Sequence, residues 1–142
     1  MYRLRKRFTF EAAHVLNESY SKECQNIHGH SYVLEIFLTS ENLIRDGMIC
    51  DFKALKKIVQ KEIIEVYDHA LIVWSEYYQE IDFPNTKILE MSSNPTAENM
   101  ARDIYERLSG ELEWCLEKVR LHETETGWVE YYYDGEKGNA NR

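Results

Sequence analysis

The chain has 142 residues, 44% hydrophobic and 13% aromatic, which argues against disorder and predicts one domain over residues 1–133 with a polar tail over 134–142. Its formal net charge of −8, from 17 basic and 25 acidic residues, argues against nucleic acid or a membrane surface as partners. The three cysteines show no disulfide-framework spacing, and no apolar run suits a signal peptide or a transmembrane helix, so a reducing cytoplasm is the expected compartment.

Two strands are predicted in the first third of the chain. The first covers residues 3–14, where Phe8 and Phe10 share one face, and the second covers residues 31–39. The second strand is apolar on both faces except at Glu35, which predicts that one face packs on helices and the other on a partner subunit.

The first strand also carries a basic stripe. Because a regular strand places every second side chain on the same face, Arg3, Arg5 and Arg7 lie side by side on one surface. We interpret this stripe as a solvated or subunit-facing edge of the sheet rather than as a ligand site.

Two helices are predicted in the middle of the chain. The first begins after Asp51 as its N-cap, repeats apolar residues at helical spacing and ends near residues 67–69. For the second, either Asn94 or Thr96 can act as the N-cap, and residues 109–110 (Ser-Gly) either break the helix or only weaken it.

Two further strands, over residues 118–124 and 128–133, close the predicted domain. A short extended piece is expected over residues 87–91, while the rest of residues 71–93 gives no clear pattern. The order strand, strand, helix, helix, strand, strand (ββααββ) predicts an α+β fold. In it, two helices pack on one face of a four-stranded antiparallel sheet.

Three of the five histidines fall in the first two strands. His14 ends the first strand. His28 and His30 lie in the segment that runs into the second strand, point to one face and are separated by Gly29, where the backbone can bend. Three imidazoles without a fourth protein ligand are typical of a catalytic zinc with an open position. Cys24 could instead complete a closed structural site. Any one histidine alone is better explained as a turn cap without a metal, but the histidines and Cys24 together favour a metal.

Four other residues are candidates for proton chemistry or binding. A nearby zinc would lower the pKa of the Cys24 thiol, and a thiolate that does not bind the metal can act as a general base. Asp68 and His69 form a candidate acid/base pair if the turn that ends the helix brings their side chains together. Glu123 continues an apolar row, so it lies either at a solvated strand end, which the sequence alone favours, or in a pocket for a donor-rich ligand.

Six short motifs follow one another along the chain. They are Phe10-Glu11-Ala12-Ala13-His14, Cys24 with His28-Gly29-His30, Gly47-Met48 with Asp51-Phe52, Asp68-His69, Pro95-Thr96-Ala97-Glu98-Asn99, and Glu123-Thr124. In this order they resemble the 6-pyruvoyltetrahydropterin synthase / 6-carboxytetrahydropterin synthase family, over residues 8–132.

The resemblance implies the tunnelling fold, whose protomers have two hairpins with two helices between them. It implies a homohexamer, built as a dimer of trimers, with active sites between subunits. Its zinc-binding histidines match His14, His28 and His30. The implied substrate is a pterin triphosphate, 7,8-dihydroneopterin triphosphate, and Thr96 and Glu98 match residues implied to contact it.

The resemblance also implies catalytic roles. The family's base is a cysteine that matches Cys24, and its proton relay matches Asp68 and His69. Its pterin-anchoring glutamate matches Glu123, which replaces the solvated interpretation. A carboxylate suits this role, since the guanidine-like edge of a pterin offers paired donors.

The three-residue gap between Cys24 and His28 is similar to that of the bacterial 6-carboxytetrahydropterin synthases of the queuosine (7-deazaguanine) pathway. It implies a zinc-dependent lyase that makes 6-carboxy-5,6,7,8-tetrahydropterin, acetaldehyde and triphosphate.

The alternatives are a 6-pyruvoyltetrahydropterin synthase, a side-chain-cleaving enzyme in which Glu23 takes part, and a non-catalytic pterin-binding module. The joint presence of base, relay and anchor argues against the last, since a binder needs no base. Residues 75–93 exceed the shortest family members and have no assigned role.

Overall fold

A mixed β-sheet forms the frame of the protein, which a computed structural model describes over residues 1–78 and 85–135. Within these residues the strands are β1 (Tyr2–His14), β2 (His28–Ser40), β3 (Ala70–Trp74), β4 (Ile88–Met91), β5 (Leu116–His122) and β6 (Trp128–Tyr131). Their order across the sheet is β4-β3-β1-β2-β5-β6. The pairs β1–β2, β2–β5 and β5–β6 are antiparallel, whereas β1–β3 and β3–β4 are parallel.

The α+β class is confirmed, but the sheet is larger than the predicted four antiparallel strands. Those four strands are β1, β2, β5 and β6, and the short extended piece predicted near residue 88 is β4. The strand β3 was not predicted, because Ala70–Trp74 is apolar at every position and so lacks the alternation that marks a half-exposed strand. Its first four residues are buried, as expected for an inner parallel strand.

Helices cover one face of this sheet. The helix α1 (Phe52–Val59) continues through a π-helical turn (Gln60–Ile64) into the short helix α2 (Glu65–Tyr67). Asp51 caps α1 as predicted, since its Oδ1 accepts hydrogen bonds from two backbone N–H groups at 2.8 and 3.0 Å.

The helix α3 (Ala97–Leu112) settles the alternatives that the sequence left open. Thr96 rather than Asn94 is its N-cap, because the Thr96 Oγ1 accepts a hydrogen bond from the N–H of Asn99 at 3.3 Å. The helix continues through Ser109 and Gly110 without a break. None of the helices in the described part of the chain is long and apolar enough to cross a membrane.

The hydrophobic core lies between the helices and the sheet. Its fully buried side chains include Phe10, Tyr32, Leu34, Ile36, Leu55, Ile63, Met100, Ile104 and Leu108. Burying one such side chain stabilises the fold by about 1.5–3 kcal/mol. His14 lies on the same face of β1 as Phe10, so the core holds this end of the strand in place.

The other face of the sheet, here called the open face, carries Arg5, Arg7, Val33, Glu35, Phe37, Lys118, Arg120 and His122. It is not the apolar second face that the sequence of β2 suggested. Phe37 is only 8% exposed, because Lys118 Nζ and Arg120 Cζ lie 4.8 and 5.3 Å from the centroid of its ring. Contact of this face with a partner subunit remains a prediction.

Two regions of the sequence predictions lie partly outside the described residues. Residues 79–84 belong to the segment over 75–93 that has no assigned role, and residues 136–142 make up most of the predicted polar tail.

Candidate metal and substrate site

The neighbouring ends of β1 and β2 bring three histidines together. His14 is the cross-strand partner of His28, and His30 pairs with Ala12 on the same ladder. One ligand nitrogen from each of the three imidazoles lies within 4.8 Å of the other two. Gly29 continues the strand between them, and a Cβ there would come within 3.2 Å of the Ala12 carbonyl oxygen. The glycine therefore permits a close approach of β1.

Backbone carbonyls fix the orientation of two of these rings. His14 Nδ1 lies 2.8 Å from the Pro95 carbonyl oxygen, and His28 Nδ1 lies 2.7 Å from the Asn26 carbonyl oxygen. A carbonyl can only accept, so each Nδ1 carries the proton and each Nε2 presents a lone pair when the ring is neutral. The two Nε2 atoms are 3.0 Å apart. The arrangement therefore points both lone pairs at one place.

The electrostatics of this cluster suit a bound cation. Burial lowers the pKa of His14 to about 4, with a smaller lowering from the charges of His28 and His30, so His14 is neutral at pH 7. Among the described residues, the buried Nε2 of His30 has no hydrogen-bond partner. Facing lone pairs repel each other, and a metal ion among the three nitrogens removes this repulsion. Three neutral imidazoles with space for a further ligand fit a catalytic zinc.

Glu123 lies beside the histidines, not at a solvated strand end. Its Oε1 is 3.6 Å from His14 Nε2 and 3.8 Å from His30 Nε2. Burial raises the pKa of the Tyr32 hydroxyl, and the charge of Glu123 raises it further, which reflects a carboxylate directed toward the cluster. The sequence alone had favoured a solvated position for Glu123, and the geometry contradicts it.

Asp68 and His69 meet in the turn that the pairing required. His69 has φ 60°, and its Nδ1 lies 3.0 Å from Asp68 Oδ2. The N–H of Glu11 donates to Asp68 Oδ1 at 2.9 Å, and the His69 N–H donates to the Glu11 carbonyl oxygen at 2.6 Å. The hydrogen bond from Glu11 and the neighbouring His69 lower the pKa of Asp68, which keeps it ionised beside the imidazole.

His69 opens onto the same cavity as one of the clustered histidines. This cavity has a volume of about 440 Å³, and Glu11, Gly29, His30, Ser31 and His69 are among the residues that line it. A ligand of that size class could therefore contact His30 and the Asp68–His69 pair at once.

Cys24 lies in the loop between β1 and β2, within a single turn of 3₁₀ helix (Lys22–Gln25). Its carbonyl oxygen accepts a hydrogen bond from the N–H of Leu16 at 2.9 Å, which ties the turn to the end of β1. Within residues 1–78 and 85–135, the thiol does not join the ligand atoms that gather within 4.8 Å of one another. The imidazole nitrogens of the three clustered histidines thus come together without the Cys24 sulfur, as in a catalytic metal site that keeps an open coordination position. The neighbouring Glu23 side chain turns back to accept a hydrogen bond from Ser21.

Thr96 and Glu98 are not brought to this site within one chain. Thr96 caps α3, Glu98 is exposed in the first turn of that helix, and neither lines the cavity of His30 and His69. The preceding residue, Pro95, contributes through its carbonyl oxygen. That oxygen and the carbonyl oxygen of Asn26 could not be predicted from the sequence, because every residue has a carbonyl and no side-chain pattern marks which one binds.

Similarity to known proteins extends over nearly the whole chain. Residues 3–134 match the family described as 6-pyruvoyl tetrahydropterin synthase. The chain is 34% identical over 141 residues to the 6-carboxy-5,6,7,8-tetrahydropterin synthase of Haemophilus influenzae, and 36% identical over 138 residues to that of Rickettsia conorii. Each of these comparisons covers 92% of this chain and 99% of the relative.

Solved structures are similar as well. The 6-pyruvoyl tetrahydropterin synthase of Caenorhabditis elegans has a TM-score of 0.71 and 26% identity, over 94% of this chain and 96% of that one. A catalytic-residue mutant of the Plasmodium vivax 6-pyruvoyltetrahydropterin synthase shares the fold, with a TM-score of 0.78 and 20% identity over 94% and 98% of the two chains. The chain belongs to the 6-pyruvoyl tetrahydropterin synthase family.

Proposed function

We propose that this protein is a zinc-dependent lyase that converts 7,8-dihydroneopterin triphosphate to 6-carboxy-5,6,7,8-tetrahydropterin, with release of acetaldehyde and triphosphate, in the queuosine (7-deazaguanine) pathway. The observation that carries the proposal is the cluster of His14, His28 and His30 with Glu123 at its side. Relatives named 6-carboxy-5,6,7,8-tetrahydropterin synthase, which match almost end to end, support the choice of product.

The metal would be held by His14, His28 and His30. When bound, zinc polarises oxygens of the substrate side chain and makes the protons near them more acidic. The hydrogen bonds to Pro95 and Asn26 orient two of the imidazoles, so the site is formed before ligand arrives. A preformed site lowers the cost of positioning the substrate.

Glu123 would bind the pterin ring. Its carboxylate can accept two parallel hydrogen bonds from the guanidine-like edge of the pterin, and charge-assisted pairs of this kind are strong and directional. Because Glu123 lies next to His14 and His30, a pterin anchored there has its side chain close to the histidines.

Asp68, His69 and Cys24 would move the protons. Asp68 accepts a hydrogen bond from His69 Nδ1, which fixes the tautomer and leaves the imidazole Nε2 free to take or release a proton in the cavity that His30 also lines. Cys24, on the loop that joins the strands of His14 and His28, would act as the general base through its thiolate. A base and an acid together suit a reaction that moves protons between neighbouring carbons and oxygens.

We also propose a homohexamer, a dimer of trimers, in which sites lie between subunits. Thr96 and Glu98 do not reach the cavity of their own chain, so a substrate role for them requires a neighbouring subunit. Exposed aromatic side chains at Trp114, Trp128 and Tyr132 support burial against another chain. Light scattering at micromolar concentration tests the assembly, and a monomer mass would contradict it.

Incubation of the purified, zinc-loaded protein with 7,8-dihydroneopterin triphosphate, followed by mass analysis of the products, tests the activity. The expected products are 6-carboxy-5,6,7,8-tetrahydropterin and acetaldehyde. A pyruvoyl or hydroxymethyl pterin would assign the protein to another branch of the family, and the hydroxymethyl product would bring Glu23 into the mechanism. Tight pterin binding with no product would instead indicate a binding module.

A further inference from the structure

A second, larger cavity extends from the histidines toward the open face of the sheet. The pairing between β2 and β5 begins only at Val33 and His122, so the earlier residues of β2 stand apart from the chain that follows β5. The cavity occupies this gap, with residues 29–31 on one side and residues 123–125 on the other. Its volume of about 720 Å³ is in the range of small-molecule sites, roughly 300–1,000 Å³.

Guanidinium groups line the far part of this cavity. Arg7 on β1, Glu35 on β2 and Arg120 on β5 are partners in one cross-strand row, and Arg5 lies next to it. The Glu35 carboxylate is only 3% exposed and is held by Arg5, by Arg120 at 3.4 Å and by His122 at 2.8 Å. Glu130 also accepts from Arg120, at 2.6 and 2.8 Å, so Glu35 and Glu130 together fix the positions of Arg5, Arg120 and His122.

Arg7 differs from the other arginines of the stripe. Arg3 makes a two-pronged ion pair with Glu117, at 2.8 and 2.5 Å, and Arg5 is paired with Glu35. Arg7 is exposed, lines the cavity and has neither a hydrogen bond nor an ion pair with any residue in the described part of the chain. Its five donors are thus free, although the chain as a whole carries eight excess negative charges.

We propose that this cavity is the subsite for the triphosphate tail of the substrate, with Arg7 as its main ligand and Arg5 and Arg120 as supporting cations. The substrate identity rests on the function proposed above. Guanidinium forks match phosphate oxygens in pairs, which a single ammonium group cannot do. The sequence interpretation of the stripe as a solvated or subunit-facing edge is replaced, for Arg7, by a ligand role.

The position of the cations fits a substrate that reaches across the site. Glu35, which lies in the row with Arg7 and Arg120, is five residues from His30 along β2. At the rise of a strand this separation is about 17 Å. An extended tail and the long arginine side chain would cover this span together. Three carboxylates line the cavity. Glu35 is already held by Arg5, Arg120 and His122, whereas Glu123 and Glu125 follow β5 beyond His122, on the side away from the row. Among the described residues, none of the three makes an ion pair with Arg7.

Titration calorimetry with inorganic tripolyphosphate tests the subsite directly. Arg7→Ala should weaken binding about 10- to 100-fold, the loss expected for a two-pronged charge-assisted contact. Arg3→Ala is the matched control, because it removes the same charge from the same strand face outside the cavity, and it should bind within about twofold of wild type. This control also sets the baseline for zinc chelation by tripolyphosphate, which is equal in all variants. Arg7→Lys keeps the charge without the fork and should fall between wild type and Arg7→Ala.

Kinetics separate this proposal from the proposed function. Arg7→Ala should raise KM for 7,8-dihydroneopterin triphosphate but leave the affinity for unphosphorylated dihydroneopterin unchanged. Tripolyphosphate binding that depends on Arg7, without any pterin turnover, would support the subsite and refute the function. Turnover with an unchanged KM in Arg7→Ala, or equal tripolyphosphate binding by Arg7→Ala and Arg3→Ala, would refute the subsite alone. A change of assembly state in Arg7→Ala would place this arginine at a subunit interface and overturn the proposal.

Discussion

The Nε2 atoms of His14 and His28 lie 3.0 Å apart, and the Nδ1 atom of each ring is held by a backbone carbonyl. Neither ring can turn its Nε2 away without losing that hydrogen bond inside a partly buried site. Burial lowers the pKa of His14 to about 4, so the His14 Nε2 carries no proton at neutral pH. The fold therefore keeps the Nε2 lone pairs of His14 and His28 facing each other. A metal ion bound between them would remove their electrostatic repulsion.

The first prediction concerns the metal itself. His28→Ala should lose zinc and activity, because two imidazoles remain where three are needed. In wild type, zinc at 100 times its Kd should add about 2.7 kcal/mol to the free energy of unfolding, and it should add nothing in His28→Ala. Metal analysis and thermal unfolding with and without zinc measure both effects.

His69→Ala is the control for this prediction. It removes an exposed imidazole that lines a cavity together with His30 but does not belong to the cluster, so it should keep one zinc per chain and lose turnover. A full equivalent of zinc in His28→Ala would show that the ligands are assigned wrongly.

The second prediction concerns the turn behind His14. The Asn99 Nδ2 donates to the Asn94 carbonyl oxygen at 2.8 Å, and this bond fixes the turn in which the Pro95 carbonyl oxygen accepts a hydrogen bond from His14 Nδ1. Asn99→Ala should weaken zinc binding about 10- to 100-fold, as is usual when support for a metal ligand is lost.

Thr96→Ala provides the comparison for Asn99→Ala. It removes the N-cap of α3, at a cost of about 1 kcal/mol, but leaves the bond from the Asn99 side chain to Asn94 in place. Competition titrations with a zinc chelator should give nearly wild-type affinity for Thr96→Ala. An equal loss of zinc affinity in both variants would mean that the stability of the helix, not the turn, positions His14.

Much of the fold could be predicted because its signals are local. The alternation in β1, the apolar spacing of α1 and the cap at Asp51 each depend on neighbouring residues, and all three are present in the structure. By contrast, the pairing of β3 with β1 joins Ala70 to Ala12, far apart in sequence, and an entirely apolar strand carries no periodic signal.

The candidate site also has a part that could be predicted from the sequence and a part that could not. The spacing of His28 and His30 on one strand made their common face predictable, and the structure places His14 beside them. The carbonyl oxygens of Asn26 and Pro95 could not be predicted, since they act through the backbone. The free guanidinium of Arg7 could not be predicted either, because the sequence does not show that Arg3 and Arg5 find carboxylates and Arg7 does not.

The third prediction concerns the buried carboxylate of the open face. Although burial raises the pKa of Glu35, hydrogen bonds from His122 and Arg5 and the charge of Arg120 outweigh it, and the net pKa lies below its ordinary value. A depressed pKa contributes stability above the unfolded-state value, about 4.3, and this contribution is lost as pH falls through the folded-state value.

Glu35→Gln should therefore lower the free energy of unfolding at pH 7 by about 1–3 kcal/mol, because the cations around it lose their charged partner. The difference from wild type should shrink as pH falls below about 4.3. Denaturant titrations at several pH values measure it. A difference that stays constant down to pH 3 would show that the charge of Glu35 is not what stabilises the open face.

The last prediction distinguishes a base from a metal ligand at Cys24. The thiol does not join the three gathered nitrogens, and the turn that carries it is tied to the end of β1 through Leu16. Cys24→Ala should therefore keep one zinc per chain and keep pterin affinity through Glu123. It should lose turnover by about 10²- to 10⁴-fold, the usual contribution of a general base.

Glu23→Ala is the matched control, since it alters the adjacent side chain in the same turn and should retain turnover. Zinc content, assembly state and turnover measured on the same preparations decide the matter. Zinc lost from an intact assembly of Cys24→Ala would make the cysteine a ligand, whereas full activity in Cys24→Ala and loss of activity in Glu23→Ala would transfer the role of base to Glu23.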